Sequence, residues 1–101
     1  MPNPRRNYTA PKDPDAEVVC LLDATMLDAR AENPKDFFDA ARAQETLPNG
    51  TLFRFEAVPG AWERVERFIA DERECCPFFA FEQWEEQGEV LLRVTRPGPQ
   101  P

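Results

Sequence analysis

The chain contains no histidine. Without an imidazole there is no Ser-His or Cys-His catalytic pair and no Cys3His zinc site. Glycine is scarce, with four residues, all at turns or in the C-terminal end. No glycine-rich loop is therefore available to cradle a phosphate. Cysteine occurs three times, and an odd count does not make a purely disulfide framework. No apolar run approaches the roughly 18 residues that cross a bilayer. The N-terminus has basic residues but lacks the apolar stretch of a secretory signal. These absences point to a cytoplasmic protein with no membrane partner, in a compartment that keeps thiols reduced.

Positive charge is also in short supply. Lys and Arg total 12 against 19 Asp and Glu, a net charge of −7 over 101 residues. An acidic surface repels phosphate backbones, so nucleic acid is not an expected partner. Arg5, Arg6 and Lys12 form a small basic patch that reads as a solubilising tail.

Proline is plentiful but concentrated at the ends: Pro2, Pro4, Pro11 and Pro14 on one side, Pro97, Pro99 and Pro101 on the other. Prolines that dense block regular pairing, so residues 1–16 and 97–101 are expected to be disordered tails around a single domain over 17–96. About 80 residues make one modest core, and eight Phe and two Trp supply most of its bulk.

Within 17–96 the apolar run Val18-Val19-Cys20-Leu21-Leu22 predicts a buried strand. Asn33-Pro34 is an N-cap followed by a proline at the first helical position, and Asp36 suits the positive end of the helix. A helix is expected from there to about Glu45, packing through Phe37, Phe38 and Ala41. Leu47-Pro48-Asn49-Gly50 is a turn. Thr51–Val58 alternates, with Phe53, Phe55 and Ala57 inward and Leu52, Arg54 and Glu56 outward. In Ala61–Cys75 the residues Trp62, Val65, Phe68, Ile69 and Glu72 recur at steps of three and four, and Cys76 continues the series; this predicts an amphipathic helix. Pro77 disfavours helical geometry at Cys76 and ends it. Phe78–Glu85 and Glu89–Thr95 form a hairpin across Gln87-Gly88. The expected fold is α+β: a small sheet of about four strands with two helices on one face, in the order β-α-β-α-β-β.

The residues best suited to chemistry are Cys20, Cys75 and Cys76. Neighbouring Cα atoms lie about 3.8 Å apart, below the roughly 4.4 Å lower edge for disulfides, so Cys75 and Cys76 do not bridge each other. Nor is either placed as a nucleophile. Both sit at the negative end of a helix, with Glu72 and Glu74 close by and no base, an environment that keeps thiols protonated. A soft cation reverses this logic, because it deprotonates thiols and favours negative surroundings. Three sulfurs suit Cu(I), Hg(II) or As(III), and Zn(II) requires a fourth ligand. Glu72, three residues before Cys75 and four before Cys76, is placed on the helix to supply it. The bland reading is that the three cysteines are small core fillers and the chain is a non-catalytic interaction or accessory domain, dimerising through an aromatic face that includes Trp84. A third reading is a thiol redox sensor. None of the three requires an enzyme.

The stretch Glu72-Arg73-Glu74-Cys75-Cys76-Pro77-Phe78 resembles a helix-terminal Glu-Arg-x-Cys-Cys-Pro-Phe motif of small bacterial proteins of unassigned function. Leu47-Pro48-Asn49-Gly50-Thr51-Leu52-Phe53-Arg54-Phe55, Val19-Cys20-Leu21 and the Leu92-Arg93-Val94-Thr95 strand are similar to their pattern, so the likeness runs from about Val18 to Pro97. It implies a stand-alone α+β domain and a lean toward metal-responsive or mercury- and arsenic-resistance functions, and brings no established activity, substrate or set of catalytic residues. The ending Arg96-Pro97-Gly98-Pro99 departs from the group's usual one.

Overall fold

Phe53, Phe55, Phe81, Val90 and Leu92 stand at alternate positions of their strands, which puts them on one face of a sheet. All five are buried in a single cluster. The structure, a computed structural model, describes residues 6–13 and 34–96. Its elements are β1 (Arg6–Thr9), α1 (Pro34–Asp39), β2 (Ala43–Leu47), β3 (Gly50–Glu56), α2 (Ala61–Cys75), β4 (Ala80–Glu86) and β5 (Glu89–Thr95). The fold is α+β, with five antiparallel strands in the order β1-β4-β5-β3-β2 and both helices against one face.

The helix α2 follows its sequence pattern closely. Trp62, Val65, Phe68 and Ile69 are buried, while Glu63, Glu66, Arg67 and Ala70 are exposed. Burial of each large apolar side chain contributes about 1.5–3 kcal/mol. The β4–β5 hairpin turns through Gln87 (φ 49°) and Gly88 (φ 77°). Two positive φ values in a two-residue loop match the twist of the flanking strands.

Three expectations differ in detail. The first helix stops at Asp39 and does not run to Glu45. Residues Ala43–Leu47 are strand, paired with Gly50–Arg54 across the Pro48-Asn49 turn, and Arg42 N–H donates to the Arg54 carbonyl at 2.7 Å. Pairing with β3 outweighs a stretch of fair helix formers. The short helix holds because Phe37 stacks on Phe68 (centroids 4.0 Å apart) and meets Phe55 at 4.9 Å, while Phe38 stacks on Phe53 at 5.1 Å.

The second difference is at the N-terminus. Arg6–Thr9, expected within a loose tail, is an edge strand in register with Phe81–Trp84. Its basic residue is also engaged: Arg6 Nη1 lies 3.0 Å from Glu82 Oε2. The third is the count: the described residues alone hold five strands where about four were expected, with β1 and β2 as edges that were not foreseen. The expected strand around Val18–Leu22 and the cap at Asn33 lie outside the described residues.

The sheet's other face carries Glu82, Trp84, Leu91, Arg93, Leu52 and Arg54 by strand alternation. Arg6 and Arg93 both lie over the ring of Trp84, their Cζ atoms 5.1 and 5.5 Å from its centroid. Both guanidinium groups also bond the Glu82 carboxylate. Such cation–π contacts contribute about 0.5–1 kcal/mol each at exposed sites. Leu91, opposite Trp84 and Arg54 in register, is only 1 % exposed.

Candidate thiolate corner

The helix α2 delivers Cys75 as its last residue and Cys76 as its C-cap. Cys76 has left helical geometry (φ −130°, ψ 72°), as a residue before proline must. Its N–H still donates to the Glu72 carbonyl at 2.7 Å, satisfying one of the helix's last carbonyls. The Phe79 N–H then donates to the Cys76 carbonyl at 3.2 Å, closing a turn with Pro77 at its second position.

Cys76 is 3 % exposed yet is not part of the main core cluster. Phe78 is buried beside it in sequence and packs on Phe79 at 4.6 Å, which meets Phe81 edge-on at 6.3 Å. Glu72 is half-buried. Cys20 lies outside the described residues.

A second segment arrives at this corner. The Asp13 N–H donates to the Pro77 carbonyl at 2.9 Å, and Lys12 Nζ lies 2.8 Å from Glu74 Oε2. The chain that leaves β1 toward Cys20 is therefore tied to the turn that follows Cys76. Lys12, expected to solubilise a tail, is instead paired with Glu74, and Asp13 gave no signal in the sequence, because residue types in a proline-rich stretch give no sign of what they meet.

The hydrogen bond and charge of Lys12, helped by Arg73, hold the Glu74 carboxyl below its ordinary value of 4.5. The attraction is fully present above the ordinary carboxylate range and is lost as pH falls through the lowered folded value. Lys12→Ala is expected to return the Glu74 titration toward 4.5, read from its side-chain carboxyl shift by NMR. An unmoved titration midpoint would show that the pair does not form in solution.

Among the described residues, no group of three or more Cys, Asp or Glu side chains is arranged to hold a metal ion. No described helix is long and apolar enough to cross a membrane.

Fold and corner together define a small α+β domain with an antiparallel sheet, helices on one face and a vicinal Cys-Cys-Pro turn at the end of the longer helix. Comparison with protein-family models, with curated proteins and with solved structures finds no match for this chain.

Proposed function

We propose that the chain binds a soft metal or metalloid ion through cysteine thiolates, with Cys20, Cys75 and Cys76 as ligands and Glu72 in support. One observation carries this reading: the tie between Asp13 and Pro77. Cys20 lies seven positions after Asp13, and so short a length of chain reaches at most about 25 Å. That length lets a third thiol come to the vicinal pair. The burial of Cys76 outside the main core cluster adds support, since a dry site favours thiolate–metal bonds over hydrated ions.

The candidate ions are Cu(I), Hg(II) and As(III), which accept three sulfurs, and Zn(II) with the Glu72 carboxylate as fourth donor. Each thiol must lose its proton on binding: uptake of Cu(I), Hg(II) or Zn(II) releases it and acidifies an unbuffered solution, whereas arsenous acid carries it away in the water that its hydroxides form. The buried Cys76 is poorly suited to a redox sensor, which needs an accessible thiolate.

The low exposure of Cys76 also favours a second reading, an interaction domain whose cysteines fill space and whose sheet face, bearing Trp84, pairs two copies.

Native mass spectrometry of the reduced full chain with each ion separates the two. The thiolate reading expects one ion per chain, and Cys20→Ser is expected to weaken binding by more than the roughly 10–100-fold that loss of an outer-shell partner costs. Equal affinity in both proteins removes Cys20 and overturns the three-sulfur site. A metal-free dimer that takes up no ion supports the interaction domain.

A further inference from the structure

We propose that the outer edge of β4 is a docking site for an extended, arginine-bearing segment of a partner protein, and that β1 occupies it as a displaceable internal stand-in. The strand β1 has four residues and lies at the edge of the sheet, in register with Phe81–Trp84. Arg6, Asn7 and Tyr8 are exposed, and none of the four residues belongs to the core cluster. Backbone pairing holds β1 in place, together with the Asp13 bond to Pro77 and the ion pairs of Arg6 and Lys12, whose side chains are 60 % and 49 % exposed. Ion pairs that open to water contribute little, and a strand that buries nothing belongs to the segments that open first. The residues of β4 beneath it differ: Phe81 is 0 % and Gln83 1 % exposed. Opening β1 uncovers a row of unpaired backbone donors and acceptors on β4, the template for strand addition.

Two features of this edge select the incoming strand. Trp84 and Glu82 together recognise a guanidinium: the Arg6 Cζ lies 5.1 Å from the ring centroid of Trp84, and Arg6 Nη1 lies 3.0 Å from Glu82 Oε2. A flat cation that stacks and donates hydrogen bonds at once is arginine, and lysine matches it less well. Charge complementarity with Glu82 therefore asks for arginine in the place of Arg6. The second feature is unfilled space. A cleft of about 160 Å³ separates β1 from α2, walled by Asn7 and Thr9 of β1, Gln83 of β4, and Glu66, Ile69, Ala70 and Arg73 of α2. A cavity of about 150 Å³ holds benzene. A side chain larger than threonine thus has room in the place of Thr9, where Ile69 and Ala70 offer it apolar surface. The chain's own β1 meets the first requirement and not the second. A partner segment with arginine, and a large apolar residue three positions later, pairs with β4 better than β1 does.

The test is an amide NMR titration of the full chain with a synthetic peptide of residues 6–13 carrying Thr9→Leu. Saturable shifts are expected at Phe81, Glu82, Gln83 and Trp84, while the signals of Arg6–Thr9 move toward unstructured positions. Arg6→Glu decides the matter, because it acts in opposite directions in the two partners. Added to the peptide, it sets a carboxylate against Glu82 and is expected to weaken binding about tenfold or more. Placed in the chain, it loosens β1 and is expected to strengthen binding of the Thr9→Leu peptide about threefold or more, since the edge is then open more of the time. The core cluster contains no residue of β1, so this variant keeps its fold. Hydrogen exchange gives an independent reading: the slowest amide of β1 is expected to exchange about a hundredfold faster or more than the slowest of β5. Absence of saturable shifts, unchanged or weaker peptide binding in the Arg6→Glu chain, or equal protection of β1 and β5 overturns the proposal. A dimer that Arg6→Glu dissolves, in a chain that takes up no peptide, means that two copies exchange β1 with each other, and it overturns the partner segment as well.

Discussion

Replacing Phe37 by alanine is expected to lower the free energy of unfolding by about 3–5 kcal/mol, the usual cost of emptying a large aromatic site in a core. Phe37 is 1 % exposed and packs against Phe38, Phe55 and Phe68. Its helix has only six residues. So short a helix has no stability of its own, because nucleation costs more than one turn returns. The ring of Phe37 is thus both a piece of the core and the anchor that holds α1 on the sheet. A domain of this size has about 5–15 kcal/mol in total, so the loss removes a large share of it. With an m-value of about 1 kcal/mol/M in urea, the midpoint falls by about 3 M or the variant is unfolded from the start. Phe37→Leu keeps much of the volume and is expected to cost about half as much. A change in Phe37→Ala below about 1 kcal/mol would mean that this ring is not packed as described.

Gly50→Ala is expected to destabilise by about 3 kcal/mol for a different reason. Gly50 opens β3 opposite Thr95 of β5. A Cβ there would collide with the Val94 carbonyl oxygen and stand 2.8 Å from the Thr95 Cα. Both are backbone atoms in a paired strand, so no side chain can rotate away to make room. The two strands must separate at this end, and the neighbouring bond from Arg96 N–H to the Asn49 carbonyl, 2.9 Å long, is at risk with them. Gly88→Ala is the control. It has open space around its Cβ but φ +77°, a left-handed strain of about 1–2 kcal/mol. Thermal unfolding by circular dichroism ranks the two. If Gly88→Ala costs more than Gly50→Ala, the close approach of β3 and β5 is wrong.

Elements with a one-sided apolar pattern were legible in the sequence. The helix α2, the strand β3 and the β4–β5 hairpin each bury one face, and that face writes its period into the residues. The edges were not. Thr46 and Gln44 point to the helix side of β2 yet are exposed, and β1 consists of Arg6-Asn7-Tyr8-Thr9, with Tyr8 66 % exposed. A strand that buries nothing carries no alternation. It is specified by backbone hydrogen bonds to a neighbour distant in sequence, and those are invisible residue by residue. The same limit applies at the sites. The vicinal cysteines announced a corner, because Pro77 had to end the helix at Cys76. The cleft between α2 and β1 gave one faint signal, a glutamine at the inward register position of β4 two residues after Phe81.

By itself, the sequence determined that this protein has no histidine chemistry, an acidic surface, an aromatic core and a helix that stops at Cys75-Cys76. Those follow from residue types and local sterics, which act over a few positions along the chain. Only the tertiary structure decided that Lys12 and Asp13 dock on Glu74 and Pro77, that Arg6 and Arg93 share Trp84 and Glu82, and that Arg73 and Gln83 line one cleft. The reason is physical: each pairing closes a loop between residues far apart in sequence, and its partner is chosen by the sheet order β1-β4-β5-β3-β2, not by any neighbour along the chain.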